Sequence, residues 1–132
     1  MNAPAPVVMQ ASAIALGGRA LLIEGPPGSG KSSLALALID RGAGLIGDDA
    51  VTLTPDGAWL IASPPPNIAG LIEVRGVGLV SLPLAPPSPV ALILTLGSGA
   101  GDRLPDIPIP RRVIAGVAVP VLRFEPRMIA PA

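Results

Sequence analysis

Hydrophobic residues come in short runs cut by Pro and Gly, which predicts many short elements joined by tight turns rather than long helices. Residues 11–16 form an apolar run ending at Gly17-Gly18, a hairpin signal, and residues 19–24 (RALLIE) read as a buried strand. A glycine-rich loop follows. Residues 31–41 then supply strong helix formers, with Gly42 placed to end the helix. Leu45-Ile46-Gly47 is a brief strand running into Asp48-Asp49. Residues 51–54 and 59–62 flank Pro55-Asp56-Gly57, a second hairpin signal.

Further along, residues 63–66 are a stiff Pro-rich connector, and residues 68–74 lead through Arg75-Gly76-Val77-Gly78 to a strand at 79–82. Residues 83–89 read as a linker-like run. Residues 90–96 (VALILTL) are the most apolar strand and belong in the middle of a sheet. A glycine-rich loop at 97–101 ends in Asp102-Arg103, and residues 113–124 alternate as a strand broken at Pro120. No repeat or heptad interrupts this order. The expectation is one α/β domain over residues 1–132, with a core of about 9–124 and a mixed sheet richer in strand than helix.

Composition changes the picture by exclusion. Half of the 132 residues are hydrophobic, enough for a core. Nine basic and nine acidic residues cancel, which argues against nucleic acid as a partner, and Arg111-Arg112 reads as an ordinary solvated pair. Without Cys there is no thiolate nucleophile or zinc-thiolate site, and without His any general base is a carboxylate or a water held by one. A metal would sit on oxygen ligands, as Mg²⁺ does. Residues 1–6 have no signal-peptide character and no run is long enough for a membrane span, so a soluble, cytoplasmic protein is expected. The aromatics are Trp59, expected in core or edge-strand packing, and Phe124; neither marks a nucleobase platform.

The chemistry concentrates in Gly25-Pro26-Pro27-Gly28-Ser29-Gly30-Lys31-Ser32, which satisfies GxxxxGK[ST] between a strand and a helix. Glycines let backbone N–H groups converge on phosphate, and the helix start presents its positive end to the anion. Lys31 can reach the β- and γ-phosphates, and the Ser32 hydroxyl is placed for Mg²⁺; Ser33 completes the binding segment. Lys31 is the chain's sole lysine, and the flanking pattern would arise around it by chance roughly once in a thousand.

Around this loop stand candidate acids and cations. Asp48 and Asp49 follow a strand, where ligands of α/β sheets gather; the bland reading is a surface turn. One could hold Mg²⁺ while the other accepts a proton. Alternation puts Glu73 and Arg75 on one strand face, as a metal and phosphate pair or as a salt bridge. Arg103 ends a glycine-rich loop that could close on phosphate, or lies in a solvated one.

Taken in order, GPPGSGKSSLALALIDRGAGLIGDD, IAGLIEVRGVGLV, GDRLP and VIAGVAVPVL resemble the HPr kinase/phosphorylase family, in its catalytic domain and in a short form without the N-terminal domain. The resemblance implies a phosphate-loop domain of the HPr kinase / phosphoenolpyruvate carboxykinase-like type. It implies ATP and Mg²⁺ as cofactors, an HPr-type phosphocarrier of the bacterial phosphotransferase system as partner, and a homo-oligomer, often a hexamer. By the same resemblance Lys31 binds the β/γ-phosphates, and Ser32, Asp48 and Glu73 serve the metal. Asp49 accepts the seryl proton and returns one in the reverse phosphorolysis, and Arg75 and Arg103 handle the phosphoryl group. Two departures stand out. Gln10 occupies the place where the family has a His, and residues 123–132 diverge from the stretch associated with dephosphorylation.

The readings that follow are a protein serine kinase with phosphorylase activity, and a nucleotide- or phosphate-sensing module that keeps the loop but has lost transfer. A small-metabolite kinase is disfavoured, because the length leaves little room for a lid and a second substrate site.

Overall fold

The central strand of the fold is β9 (Ser88–Leu96), and its neighbours explain how the loop is presented in this computed structural model. The structure describes residues 5–65, 71–74, 77–82, 84–97 and 109–124. β9 pairs in parallel with β3 (Arg19–Glu24) and, near its end, in parallel with β11 (Val117–Phe124). Its first residues pair antiparallel with β6 (Trp59–Ser63), which continues to β5 (Val51–Asp56) and to an edge strand, β1 (Val7–Met9). Beyond β3 lie β2 (Ser12–Leu16) and then β4 (Gly44–Gly47), each antiparallel to the strand before it.

Two antiparallel steps return β4 to the direction of β3. The strands β3, β4, β9 and β11 therefore all end at one rim of the curled sheet, the side on which open α/β sheets bind ligands. The glycine-rich loop leaves β3 there and Asp48 leaves β4 there. The start of β2 lies at the same rim, since Ser12 pairs with Ile23.

The helix α1 (Lys31–Asp40) covers one face of the sheet. It packs Ala35, with Leu34, Leu38 and Ile39, on Ile14, Ile23, Leu45 and Leu96. The opposite face of β2 and β3, carrying Ala13, Ala20 and Leu22, joins Leu53, Leu60, Val90, Ile93 and Val119 in a second apolar cluster. Alternation along the strands produces the two faces. α1 stops as expected at Gly42. The Gly42 and Ala43 amides donate to the Ile39 and Leu38 carbonyls at 3.0 and 3.1 Å, the pair of bonds that closes a Schellman cap. A separate hairpin of β7 (Leu71–Val74) and β8 (Gly78–Ser81) lies with β7 beside α1. Among the described residues no helix is long and apolar enough to cross a membrane.

Several expected boundaries move. β5 runs through Pro55 to Asp56, so the turn is Gly57-Ala58, with Gly57 at φ 61. The linker-like run 83–89 already holds the bridge Leu45↔Leu84 and the start of β9 at Ser88. The strand expected over 113–124 is two strands, β10 (Arg111–Ile114) and β11, turning at Ala115-Gly116 rather than breaking at Pro120. Trp59 is 56% exposed, which excludes the core setting of the two expected for it. β1 was not foreseen.

Candidate functional site

The loop between β3 and α1 is shaped by close approach as much as by freedom. A Cβ on Gly25 would sit 2.5 Å from Ser29 Oγ and 2.9 Å from the Leu96 carbonyl oxygen, so no other residue fits there without displacing the end of β9. Gly28 and Gly30 adopt φ 80 and 99, the left-handed conformation from which anion-binding backbone nests are built. Gly30 caps α1 with no side-chain hydrogen bond, which leaves first-turn N–H groups for a ligand. Ser29 Oγ is buried without a partner in the structure, and Lys31 Nζ donates to the Gly25 carbonyl at 3.0 Å, folding the ammonium back across the loop. Donors here outnumber acceptors. An anion would match such a site.

The two aspartates separate. Asp48 is 5% exposed, and its Oδ1 accepts hydrogen bonds from Ser12 Oγ at 2.9 Å and Ser32 Oγ at 2.8 Å. A buried carboxylate needs such donors. A bulge brings it there: Ala13 pairs with Gly47 but Ile14 with Leu45, so Ile46 is an extra residue that turns the end of β4. At Gly47 too a side chain is excluded, because a Cβ would run into the Ala50 carbonyl oxygen. Asp49 is exposed at φ 65 and lines a cleft of about 380 Å³ with Gln10, Gly25, Pro27 and Lys31. The Asp48 carboxylate and Ser32 hydroxyl are hard oxygen donors. Two such donors suit Mg²⁺, which characteristically completes its shell with phosphate and water.

At the base of the loop, Glu24 is gripped by three donors. Arg112 Nη1 and Nη2 reach its two oxygens at 2.6 Å each, and Thr95 Oγ1 donates to Oε2 at 2.7 Å. The Arg112 guanidinium holds the Glu24 carboxyl below its ordinary value, against the burial that would raise it. In the same pair Arg112 is raised, first by its bond to Glu24.

The structure thus gathers the residues of the loop with Asp48, Asp49 and Gln10. Ser33 is exposed on α1. Glu73 is a β7 residue opposite Leu79. Arg75 and Arg103 lie outside the described residues. Sequence reasoning passed over Ser12, which no motif marks, and took Arg112 for a solvated residue when it forms the bidentate pair with Glu24.

Comparison with known proteins identifies the family. Residues 5–84, well over half of the chain, match the family of the HPr serine kinase C-terminal domain. The chain belongs to this family. Among curated HPr kinase/phosphorylases, the one from Bordetella pertussis is 47% identical over 66 residues, covering 49% of this chain and 21% of that protein. The one from Clostridium botulinum (strain Eklund 17B) is 46% identical over 65 residues, again 49% of this chain and 21% of the other. The chain therefore aligns with about a fifth of the length of these relatives. The solved HPr(Ser) kinase/phosphatase of Coxiella burnetii superposes with a TM-score of 0.78 at 30% identity, over 90% of this chain and 79% of that one. The curled mixed sheet with one helix seen among the described residues thus matches the fold of a solved HPr kinase/phosphatase.

Proposed function

We propose that this HPr kinase-family domain transfers a phosphoryl group from Mg-ATP to a serine of an HPr-type phosphocarrier protein of the bacterial phosphotransferase system. The observation that carries the reading is the division of labour at the loop: Asp48 buried on Ser32, Asp49 exposed beside Lys31 in the cleft. One carboxylate is built to hold and the other to exchange a proton.

The residues present fit the nucleotide phosphates and the metal. Free first-turn amides, the unpartnered Ser29 hydroxyl and a Lys31 ammonium resting on a replaceable carbonyl suit phosphate. Ser32 and Asp48 suit Mg²⁺, and Glu73 is assigned to the same metal by family resemblance alone. Bound there, the nucleotide would supply the phosphoryl group and the metal would offset its charge. Lys31 fixes the phosphates, and Gly25 to Ser33 wrap them. Asp49 orients the incoming serine and takes its proton at a carboxylate oxygen; in phosphorolysis it returns one. Arg75 and Arg103 are assigned to the phosphoryl oxygens. The names kinase/phosphorylase and kinase/phosphatase carried by the relatives support activity in both directions. We assign a cytoplasmic homo-oligomer, a hexamer by family resemblance, with neither nucleic acid nor membrane as partner.

The test mixes the protein with Mg-ATP and an HPr-type carrier and weighs the carrier by intact mass spectrometry. A gain of one phosphoryl group is expected, and none with Lys31→Ala. Nucleotide binding without any gain would move the assignment to a sensing module.

A further inference from the structure

Glu24 is an odd residue to find one position before a phosphate loop, because its charge opposes the ligand the loop is built for. Its neighbours explain how it is tolerated. β3 and β9 run parallel, with Glu24 opposite Thr95, and Thr95 is opposite Arg123 of β11. Arg112, from the adjoining β10, reaches back across 88 positions of sequence to form the bidentate pair. Three donors therefore fix both carboxylate oxygens. Directly after Glu24 comes Gly25, pressed on Leu96 and Ser29, whose carbonyl parks Lys31 Nζ. Any shift of the end of β3 is passed to that carbonyl and to the turn that the Ser29 amide closes on Pro26, at 3.0 Å. The guanidinium fork is suited to the task, being planar, permanently charged and matched to a carboxylate.

We propose that Arg112 is a positioning residue for the phosphate loop, seating the β3-to-loop junction through Glu24 and cancelling a charge that would otherwise repel phosphate. The charge-cancelling half rests on the phosphate-binding reading above; the seating half does not need a ligand.

Two measurements on the full chain separate them. The first is hydrogen exchange of the peptide spanning 25–34 without ligand. The second is calorimetric titration with Mg-ATP at low and high salt. Arg112→Ala should speed loop exchange and weaken Mg-ATP binding about tenfold, more at low salt. Adding Glu24→Gln should recover most of that affinity, which loss of a docked hairpin alone would not allow. Equal affinity of the single and double variants overturns charge cancellation, and wild-type loop exchange in Arg112→Ala overturns seating. If the wild type binds no Mg-ATP while Arg112→Ala still loosens the loop, the nucleotide reading and the charge-cancelling half fail and the seating stands. Arg112→Lys keeps the charge but loses the fork, and serves if the alanine variant does not fold. It should loosen the loop, and a wild-type exchange rate there also overturns the seating.

Discussion

Asp48 lies beneath two serine hydroxyls while Asp49, the next residue, stands at φ 65 in the cleft, and the backbone conformation decides which substitutions are informative. Asn tolerates the left-handed region about as well as Asp, so Asp49→Asn removes charge without adding strain. Mg-ATP affinity should change less than about threefold, and transfer to the carrier should fall by about a hundredfold or more, the ordinary contribution of a general base. Titration calorimetry and carrier phosphorylation read the two quantities separately; an Asp49→Asn protein with normal transfer would refute the base assignment. Ala115 poses the opposite case. It sits at φ 49 in the β10–β11 turn with a Cβ that this region disfavours. Ala115→Gly should raise stability by about 0.5–1 kcal/mol, read as a higher denaturant midpoint at unchanged slope.

At the scale of elements, the segments readable in sequence are those whose signals are local. Gly17-Gly18, both at positive φ, announce the β2–β3 hairpin, and the helix-forming run ahead of Gly42 announces α1 and its end. The elements misread are those where a neighbour overrides the local rule. Pro55 stays in β5, and Pro120 stays in β11 because it precedes that strand's pairing with β9, which begins at Val121. The β10–β11 turn was hidden because Ala115 occupies a place where a glycine or asparagine would have signalled it. β1 has three residues and exposed Val7 and Val8, too little alternation to see. The loop itself was legible as a motif, but not the reason Gly25 is glycine, which depends on Leu96 arriving from β9. Gly25→Ala should therefore abolish Mg-ATP binding with the fold retained, measured by calorimetry beside circular dichroism, because the added methyl crowds both Ser29 Oγ and the Leu96 carbonyl at the β9 end.

For the whole molecule, what ties the C-terminal hairpin to the loop is a charge pair that no sequence window contains, and it makes stability depend on pH. The folded pKa of Glu24 is depressed, chiefly by the Arg112 hydrogen bonds, relative to its value in the unfolded chain, ordinarily about 4.3. Above that unfolded value the carboxylate is charged in both states and the pair's stabilisation is fully present. As pH falls through the lower folded value, Glu24 protonates and the stabilisation is lost. Arg112 stays protonated throughout and adds no step. Because the Arg112 side chain is 41% exposed, solvent screening limits the contribution to about 1 kcal/mol. Glu24→Gln should therefore melt below the wild type at pH 7, with the gap unchanged down to about pH 5 and closing below pH 4, where the protonated Glu24 resembles Gln. Other carboxylates titrate in the same range, but they are common to both proteins and cancel in the difference. A gap that persists at pH 2–3, or that widens there, would mean that Glu24 supports the fold through shape alone and that its charge pairing with Arg112 contributes nothing.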